Sequence, residues 1–355
     1  MNKVDRLFSQ ISNDAVMVIN PSNIFYFADY LADYCYLLLT KSKGYYFTDG
    51  RFIIEAKRDL SDYFEVVEIT PKTAFSVISS YIDDLKINNI GYDSEISHND
   101  FVFFDKLTNT KNKVDITHYI SNIRSIKDNS EIDKIKEAQR IAEKSLEELK
   151  QYIKVGVSEK ELSSRLEFIL KMNGADSTSF PTIVAFGENS AICHAKPSDR
   201  LLRVGDIILI DFGAKYKGYC SDMTRTFVYS ECSDEIKKIY DIVLGANMLA
   251  IDKIKAGIKA QEIDSIARDY IKSFGYESNF VHSLGHGVGV DIHEAPALSK
   301  NADSSVILEE NMVVTIEPGI YVEGLGGVRI EDMIVVKNDK SINLTASNKY
   351  LEILK

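Results

Sequence analysis

The chain has 355 residues, 45% of them hydrophobic and 27% charged, the balance of a soluble globular protein with room for two domains. A formal net charge of -11 and a pI near 5.2 would repel a phosphate backbone, and no Lys/Arg cluster offsets that background, so nucleic acid is excluded as a partner. No apolar run approaches the roughly 18 residues of a membrane span, and the polar start from Met1 to Ile11 lacks a signal-peptide core, so the expectation is a cytoplasmic protein with no membrane partner.

From Ala15 to about Ile126, short apolar runs alternate with turn residues. Predicted strands are Ala15–Ile19, Tyr36–Leu39, Gly44–Phe47, Phe64–Glu68 and Asn89–Tyr92, and helical patterns cover Ala74–Asp84 and Ser97–Leu107. This describes an α/β domain without a catalytic constellation of its own. Its local signature, Thr48-Asp49-Gly50-Arg51-Phe52, reads as a turn closing a hairpin. The polar stretch from Ser125 to Ser130 then precedes an amphipathic helix from about Glu131 to Tyr152. In it Ile132, Ile135, Ala138, Ile141, Ala142 and Leu146 recur at helical spacing, with Ser130 and Asp133 approximating a capping box. The domain boundary falls near residue 124, giving domains 1–124 and 125–355. The four cysteines, Cys35, Cys193, Cys220 and Cys232, show no CxxC pairing and are too few for a disulfide framework in a chain this long.

Beyond the boundary lies a degenerate internal repeat. Ile153-Lys154-Val155-Gly156, and then Glu161, Ser164, Lys171 and Gly174, recur 101 residues later as Ile254-Lys255-Ala256-Gly257 with Glu262, Ser265, Lys272 and Gly275. At an offset of 106, Ile207-Ile208-Leu209-Ile210-Asp211-Phe212-Gly213 matches Val313-Val314-Thr315-Ile316-Glu317-Pro318-Gly319. The second domain is therefore expected to be two similar α/β halves, with strand-borne carboxylates from both meeting in the middle.

Each half carries its acids as a pair. A hairpin from Ile207 to Thr226 turning at Tyr216-Lys217 sets Asp211 opposite Asp222, and one from Val313 to Val335 turning at Gly324 sets Glu317 opposite Glu331, unless a bulge near Pro318 shifts the second register. Opposed like charges on a sheet destabilise it, and divalent cations compensate them better than one arginine does. Between the two hairpins, Phe280 to Glu294 brings His282, His286 and His293. Gly285, Gly287 and Gly289 rule against a helix there, but in extended backbone residues four apart still share a face. Four acids and an imidazole suit two hard or borderline divalent ions sharing bridging carboxylates, an arrangement suited to hydrolysis.

This motif set resembles the signature of the pita-bread metallopeptidases, the family of methionine aminopeptidase, aminopeptidase P and prolidase. The resemblance is strong from Asp128 to Val336 and weaker in the N-terminal domain, where the Thr48–Phe52 turn is similar to that of Xaa-Pro peptidases. It implies an α/β (α+β) fold: a pita-bread domain of two pseudo-symmetric halves with a curved antiparallel sheet, preceded by a smaller creatinase-like domain for substrate access or dimerisation. It further implies that Asp211 chelates one metal, Asp222 and Glu331 bridge, and His286 and Glu317 bind the other. Glu317 would also be general base toward a metal-bridging hydroxide. His194, within Ile192-Cys193-His194-Ala195-Lys196-Pro197, resembles a substrate-contacting loop histidine, although Cys193 stands where relatives often carry proline. His282 and His293 resemble a pair that hydrogen-bonds substrate and stabilises the tetrahedral intermediate, and Arg329 an arginine that orients the carboxylates. The implied activity is hydrolysis of Xaa-Pro bonds in dipeptides or at the N-terminus of peptides, with manganese as the first expected metal, cobalt, zinc or iron as substitutes, and a homodimer as the assembly. The alternatives are a methionine aminopeptidase, a metal-free creatinase type and a non-catalytic scaffold of the same fold.

Overall fold

The computed structural model describes residues 2–108 and 111–355, and the chain divides into two compact units, Met1–Arg124 and Ser125–Lys355. In the first, the apolar runs pair into a mixed sheet. Strands β1 Ala15–Val18, β2 Cys35–Thr40, β3 Gly44–Thr48, β4 Phe64–Glu68, β5 Asn89–Tyr92 and β6 Asn112–Asp115 stand in the order β4-β3-β2-β1-β5-β6. Around it run α1 Lys3–Phe8, α2 Pro21–Ala28, α3 Ile53–Asp59, α4 Ala74–Asp84, α5 His98–Leu107 and α6 Thr117–Ser125. On α4, Ala74, Ile78 and Ile82 repeat every four residues, and that stripe is buried in one core with Phe47, Ile90 and Phe104.

The turn Thr48–Phe52 does not close a hairpin. Strands β3 and β4 are parallel, with α3 between them, and parallel neighbours require a crossover rather than a tight turn. Asp49 holds the strand-to-helix turn instead, accepting the Arg51 backbone N–H at 2.9 Å and its guanidinium at 2.7 Å. Strand β6 has no counterpart in the sequence reading because Asn112-Lys113-Val114-Asp115 carries a single apolar residue.

The second unit opens with α7 Asn129–Lys150 and α8 Glu159–Met172. Strands β7 Ser177–Thr178, β8 Ile183–Phe186, β9 Ile207–Phe212, β10 Ala214–Tyr216, β11 Tyr219–Cys220 and β12 Met223–Tyr229 follow. The pattern repeats as α9 Asp234–Lys253 and α10 Ala260–Ser273, then β13 Gly285–Gly287, β14 Glu294–Leu298, β15 Val313–Ile316, β16 Gly319–Val322, β17 Gly326–Arg329, β18 Asp332–Val335, β19 Ile342–Asn343 and β20 Ile353–Leu354. Each half has its own core: Leu146, Leu166, Ile208 and Ile210 in the first, Val243, Ile263, Val314 and Ile334 in the second. The duplication is visible in the backbone, since Gly156 and Gly257 share a φ of 90°, a left-handed conformation that favours glycine. Helix α7 starts two residues earlier than the pattern indicated, at Asn129. Asp128 and Glu131 form the capping box, each carboxylate accepting the other's backbone N–H, and Ser130 only donates its hydroxyl to Asp128.

Candidate metal centre

Strand β9 reads Ile207-Ile208-Leu209-Ile210-Asp211-Phe212 and is buried along its whole length between β8 and β12. A carboxylate near the end of such an apolar strand is rigidly held and cut off from bulk water. Its hairpin turns at Lys217-Gly218, both with positive φ (46° and 78°), rather than at Tyr216-Lys217. Asp211 consequently faces Thr224, not Asp222. The slip is an even number of residues, so Asp222 stays on the same face, diagonal to Asp211. In the second hairpin the expected register holds on both sides of the acids: Ile316 pairs with Asp332, and Gly319 with Arg329. The predicted bulge at Pro318 is not a shift of register but a gap, because Glu317-Pro318 and Ile330-Glu331 drop out of the ladder between β15/β18 and β16/β17.

Between these hairpins β13 carries Gly285-His286-Gly287. The flanking glycines serve close approach: a Cβ on Gly285 would lie 2.0 Å from the Thr315 carbonyl oxygen, and one on Gly287 would lie 2.2 Å from that of Ala295. The His286 ring is thereby brought to the acids, with Nε2 at 3.5 Å from both Asp222 Oδ2 and Glu317 Oε1. Its Nδ1 lies 3.1 Å from the Gly287 carbonyl. An N–H at Nδ1 donating there leaves the Nε2 lone pair turned toward the carboxylates.

All nine residues singled out from the sequence, Asp211, Asp222, His286, Glu317, Glu331, His194, His282, His293 and Arg329, line one cavity of about 270 Å³. Within it Asp222, His286 and Glu331 each present a ligand atom within 4.8 Å of the others. Arg329, itself buried, ties the rest together: Nη2 donates to Asp211 Oδ2 at 2.6 Å, Nε to Thr224 Oγ1 at 3.0 Å and Nη1 to the Tyr321 hydroxyl at 2.6 Å. His282 engages both ring nitrogens within the protein, Nδ1 with the Ser283 carbonyl at 2.8 Å and Nε2 with the Tyr321 hydroxyl at 2.9 Å. The His293 ring packs edge-on against His286, with centroids 4.3 Å apart.

The electrostatics are those of a site short of positive charge. Burial and the neighbouring acids raise the carboxyl groups of Asp222 and Glu331 well above the ordinary range. Burial pushes Glu317 up to about 8, with Arg329 opposing it. Burial also lowers His282 and His286 to about 4, so both rings are neutral at physiological pH. Asp211 Oδ1, Asp222 Oδ1 and Glu331 Oε1 are buried and accept no hydrogen bond. Oxygens of this kind are costly unless something satisfies them. Three such oxygens on residues that line one cavity with an imidazole, Asp222, Glu331 and His286 clustering closely among them, are the donor chemistry of a divalent-cation centre, so the residues fit a metal.

Sequence reading missed the groups that hold these acids. Thr224 donates its hydroxyl to Glu331 Oε2 at 2.7 Å, and the Thr315 hydroxyl lies 3.3 Å from Glu317 Oε1. Their signal was parity, since each stands two residues from a candidate acid along a strand. Tyr321, four residues beyond Glu317, shows the same parity. Asn247 gave no signal at all. It sits on α9 and donates its side-chain N–H groups to the Ile316 and Ile330 carbonyls at 3.0 and 3.3 Å, the residues just before Glu317 and Glu331.

Residues 133–338 match the family described as Metallopeptidase family M24, and residues 1–126 match the Creatinase/Prolidase N-terminal domain. The chain is 37% identical to a solved Xaa-Pro dipeptidase from Bacillus anthracis, with a TM-score of 0.93 over 99% of each chain. Against a solved X-Pro aminopeptidase from Thermotoga maritima the identity is 37% and the TM-score 0.92, covering 98% of this chain and 100% of that one. An Xaa-Pro dipeptidase from Pyrococcus furiosus is 34% identical over 355 residues, covering 99% of both. These matches join an acid-lined cavity to a family that works through metal, and the chain belongs to metallopeptidase family M24, with a Creatinase/Prolidase N-terminal domain.

Proposed function

We propose that this chain is a metal-dependent exopeptidase that hydrolyses the bond before a proline, in Xaa-Pro dipeptides or at the N-terminus of longer peptides. The observation that carries the metal dependence is the set of orphaned oxygens on Asp211, Asp222 and Glu331 around one cavity with the His286 Nε2. The proline preference is supported by the names of relatives on both sides, a dipeptidase and an aminopeptidase equally similar to this chain.

Asp211, Asp222, His286, Glu317 and Glu331 would hold two divalent ions, with manganese first among candidates because four of the five donors are carboxylates. When bound, such ions supply an activated water and a polarised scissile carbonyl. The protein's own groups then have separate tasks. Glu317, held by Thr315 and set in a buried pocket, takes the proton of the attacking water and returns it to the departing proline nitrogen. Arg329 fixes the Asp211 carboxylate while its other arm braces Tyr321. His194 and His293 face the cavity and contact substrate, whereas His282 reaches it through a ring already tethered to Tyr321.

The deciding assay takes metal-stripped protein, restores manganese, cobalt, zinc or iron, and offers Xaa-Pro dipeptides and Xaa-Pro-Yaa tripeptides. Turnover of at least one series is expected, and none with any metal would overturn the reading. A homodimer, cytoplasmic residence and a role of the first unit in substrate access or dimerisation are parts of the same proposal that rest on the family resemblance. Light scattering on the purified protein checks the assembly, where a monomer would refute it. Among the described residues no helix is long and apolar enough to cross a membrane.

A further inference from the structure

His194 is carried by a loop, and the base of that loop is clasped by a carboxylate that plays no part in the chemistry above. Glu159 is the first residue of α8 and is fully buried. Its Oε1 accepts the Phe186 backbone N–H at 2.7 Å and the Asn189 side-chain amide at 3.0 Å. Its Oε2 accepts the Ser198 backbone N–H at 2.9 Å and the Ser198 hydroxyl at 2.5 Å. Among the described residues no lysine or arginine forms an ion pair with it. A buried carboxylate is expensive, and this one is met by neutral donors drawn from both ends of one loop, together with the positive end of its own helix.

From those donors a continuous set of turns leads to the histidine. The Asn189 carbonyl accepts the Ile192 N–H at 3.0 Å, and the Ile192 carbonyl accepts the Ala195 N–H at 3.0 Å, enclosing Cys193 and His194. At the tip the Cys193 carbonyl accepts Arg329 Nη1 at 3.3 Å. The loop is thus pinned by Glu159 at its base and by Arg329 at its tip. Below the base, residues 156–160 bond to residues 198–202 through Gly156 to Leu202, Leu202 to Val157, Glu159 to Arg200 and Lys160 to Ser198.

We propose that Glu159 is a positioning residue for the peptidase reaction: its carboxylate sets where His194 meets the substrate. The proposal rests on the reading of His194 as a substrate contact. Replacing Glu159 with glutamine keeps the shape but turns an amide N–H₂ toward donors that need an acceptor, so the loop loosens while the metal-binding residues keep their places.

The test uses the metal-loaded full chain. Cys193, half-buried beside His194, is a built-in reporter of the loop. In E159Q its alkylation, located by peptide mass spectrometry to separate it from Cys35, Cys220 and Cys232, should accelerate several-fold, with bound metal per chain unchanged. The value of kcat/KM should fall about 10- to 100-fold, the scale of loss when a positioned group is displaced by roughly 1 Å. The double variant E159Q/H194A should be within about twofold of H194A, because a group acting through His194 has nothing left to position. Multiplying losses in the double variant, or an unchanged Cys193 rate in E159Q, would overturn the proposal. H194A as active as the parent would instead overturn the role given to His194, and the labelling rate would still decide whether Glu159 holds the loop. Should E159Q not fold, N189A/S198A removes two donors and leaves the carboxylate, with the same readouts and the same expected results.

Discussion

At the scale of single residues, the centre depends on acids that are unfavourable where they stand. Asp222 is the most exacting of them, buried with one oxygen orphaned and its carboxyl raised by burial and then by Glu331. Asp222→Ala should leave a folded protein that has lost most of its bound metal; elemental analysis still finding two equivalents per chain would refute the assignment. Glu317→Gln separates binding from proton transfer. It should keep the fold and at least one ion while losing about 10²-fold or more in kcat, the range for removing a general base, and a kcat near that of the parent would rule Glu317 out as the base.

At the scale of elements, the acids owe their arrangement to two hairpins and to the strand between them. Residue parity along β9 and β12 put Asp211 and Asp222 on one face even though the turn lies at Lys217-Gly218, because only an odd slip would have flipped a side chain. An irregularity near Pro318 was legible, but not its form, a gap at Glu317-Pro318 with the register kept on both sides. Its ends are held by Asn247, an isolated polar residue on α9 whose partners are backbone carbonyls far along the chain. The glycines around His286 were legible as breakers of a helix, but their closeness to Thr315 and Ala295 was not. Gly285→Ala should accordingly cost about 1–3 kcal/mol, as overpacking does, seen as a lower unfolding midpoint with weakened metal binding. An unchanged midpoint would show that β13 and β15 can separate more easily than their spacing implies.

For the whole molecule, the same charges make stability depend on pH and metal. In the ion-free protein burial raises Glu317 from 4.5 to about 8, so the folded state keeps a proton that the unfolded chain has already lost. Stability from that group is present at low pH and is lost as pH climbs through about 8. His282 and His286 are lowered by burial from 6.5 to about 4, so they weaken the fold only as pH falls below 6.5. Between pH 6.5 and 8 the carboxylates act alone. The unfolding temperature of chelated protein should therefore fall across that window, while saturating manganese raises it and flattens the slope; parallel curves with and without metal would contradict the account.

The sequence by itself determined which residues to look for together and how their pattern is duplicated. Apolar runs ending in acids, a repeated glycine-led helix start and a histidine between glycines are local patterns, and local periodicity survives without knowledge of the fold. The nine predicted residues indeed line one cavity. What only the tertiary structure decided is how the acids stand relative to one another and what holds them. Parity marked Thr224 and Tyr321 and the resemblance marked Arg329, but which atoms they bond, and the whole role of Asn247, follow from contacts across a hairpin or between segments distant in sequence, which leave no periodic trace. Chemistry is written into residue identity, whereas distance and satisfaction arise only when strands from both halves pack around a common space.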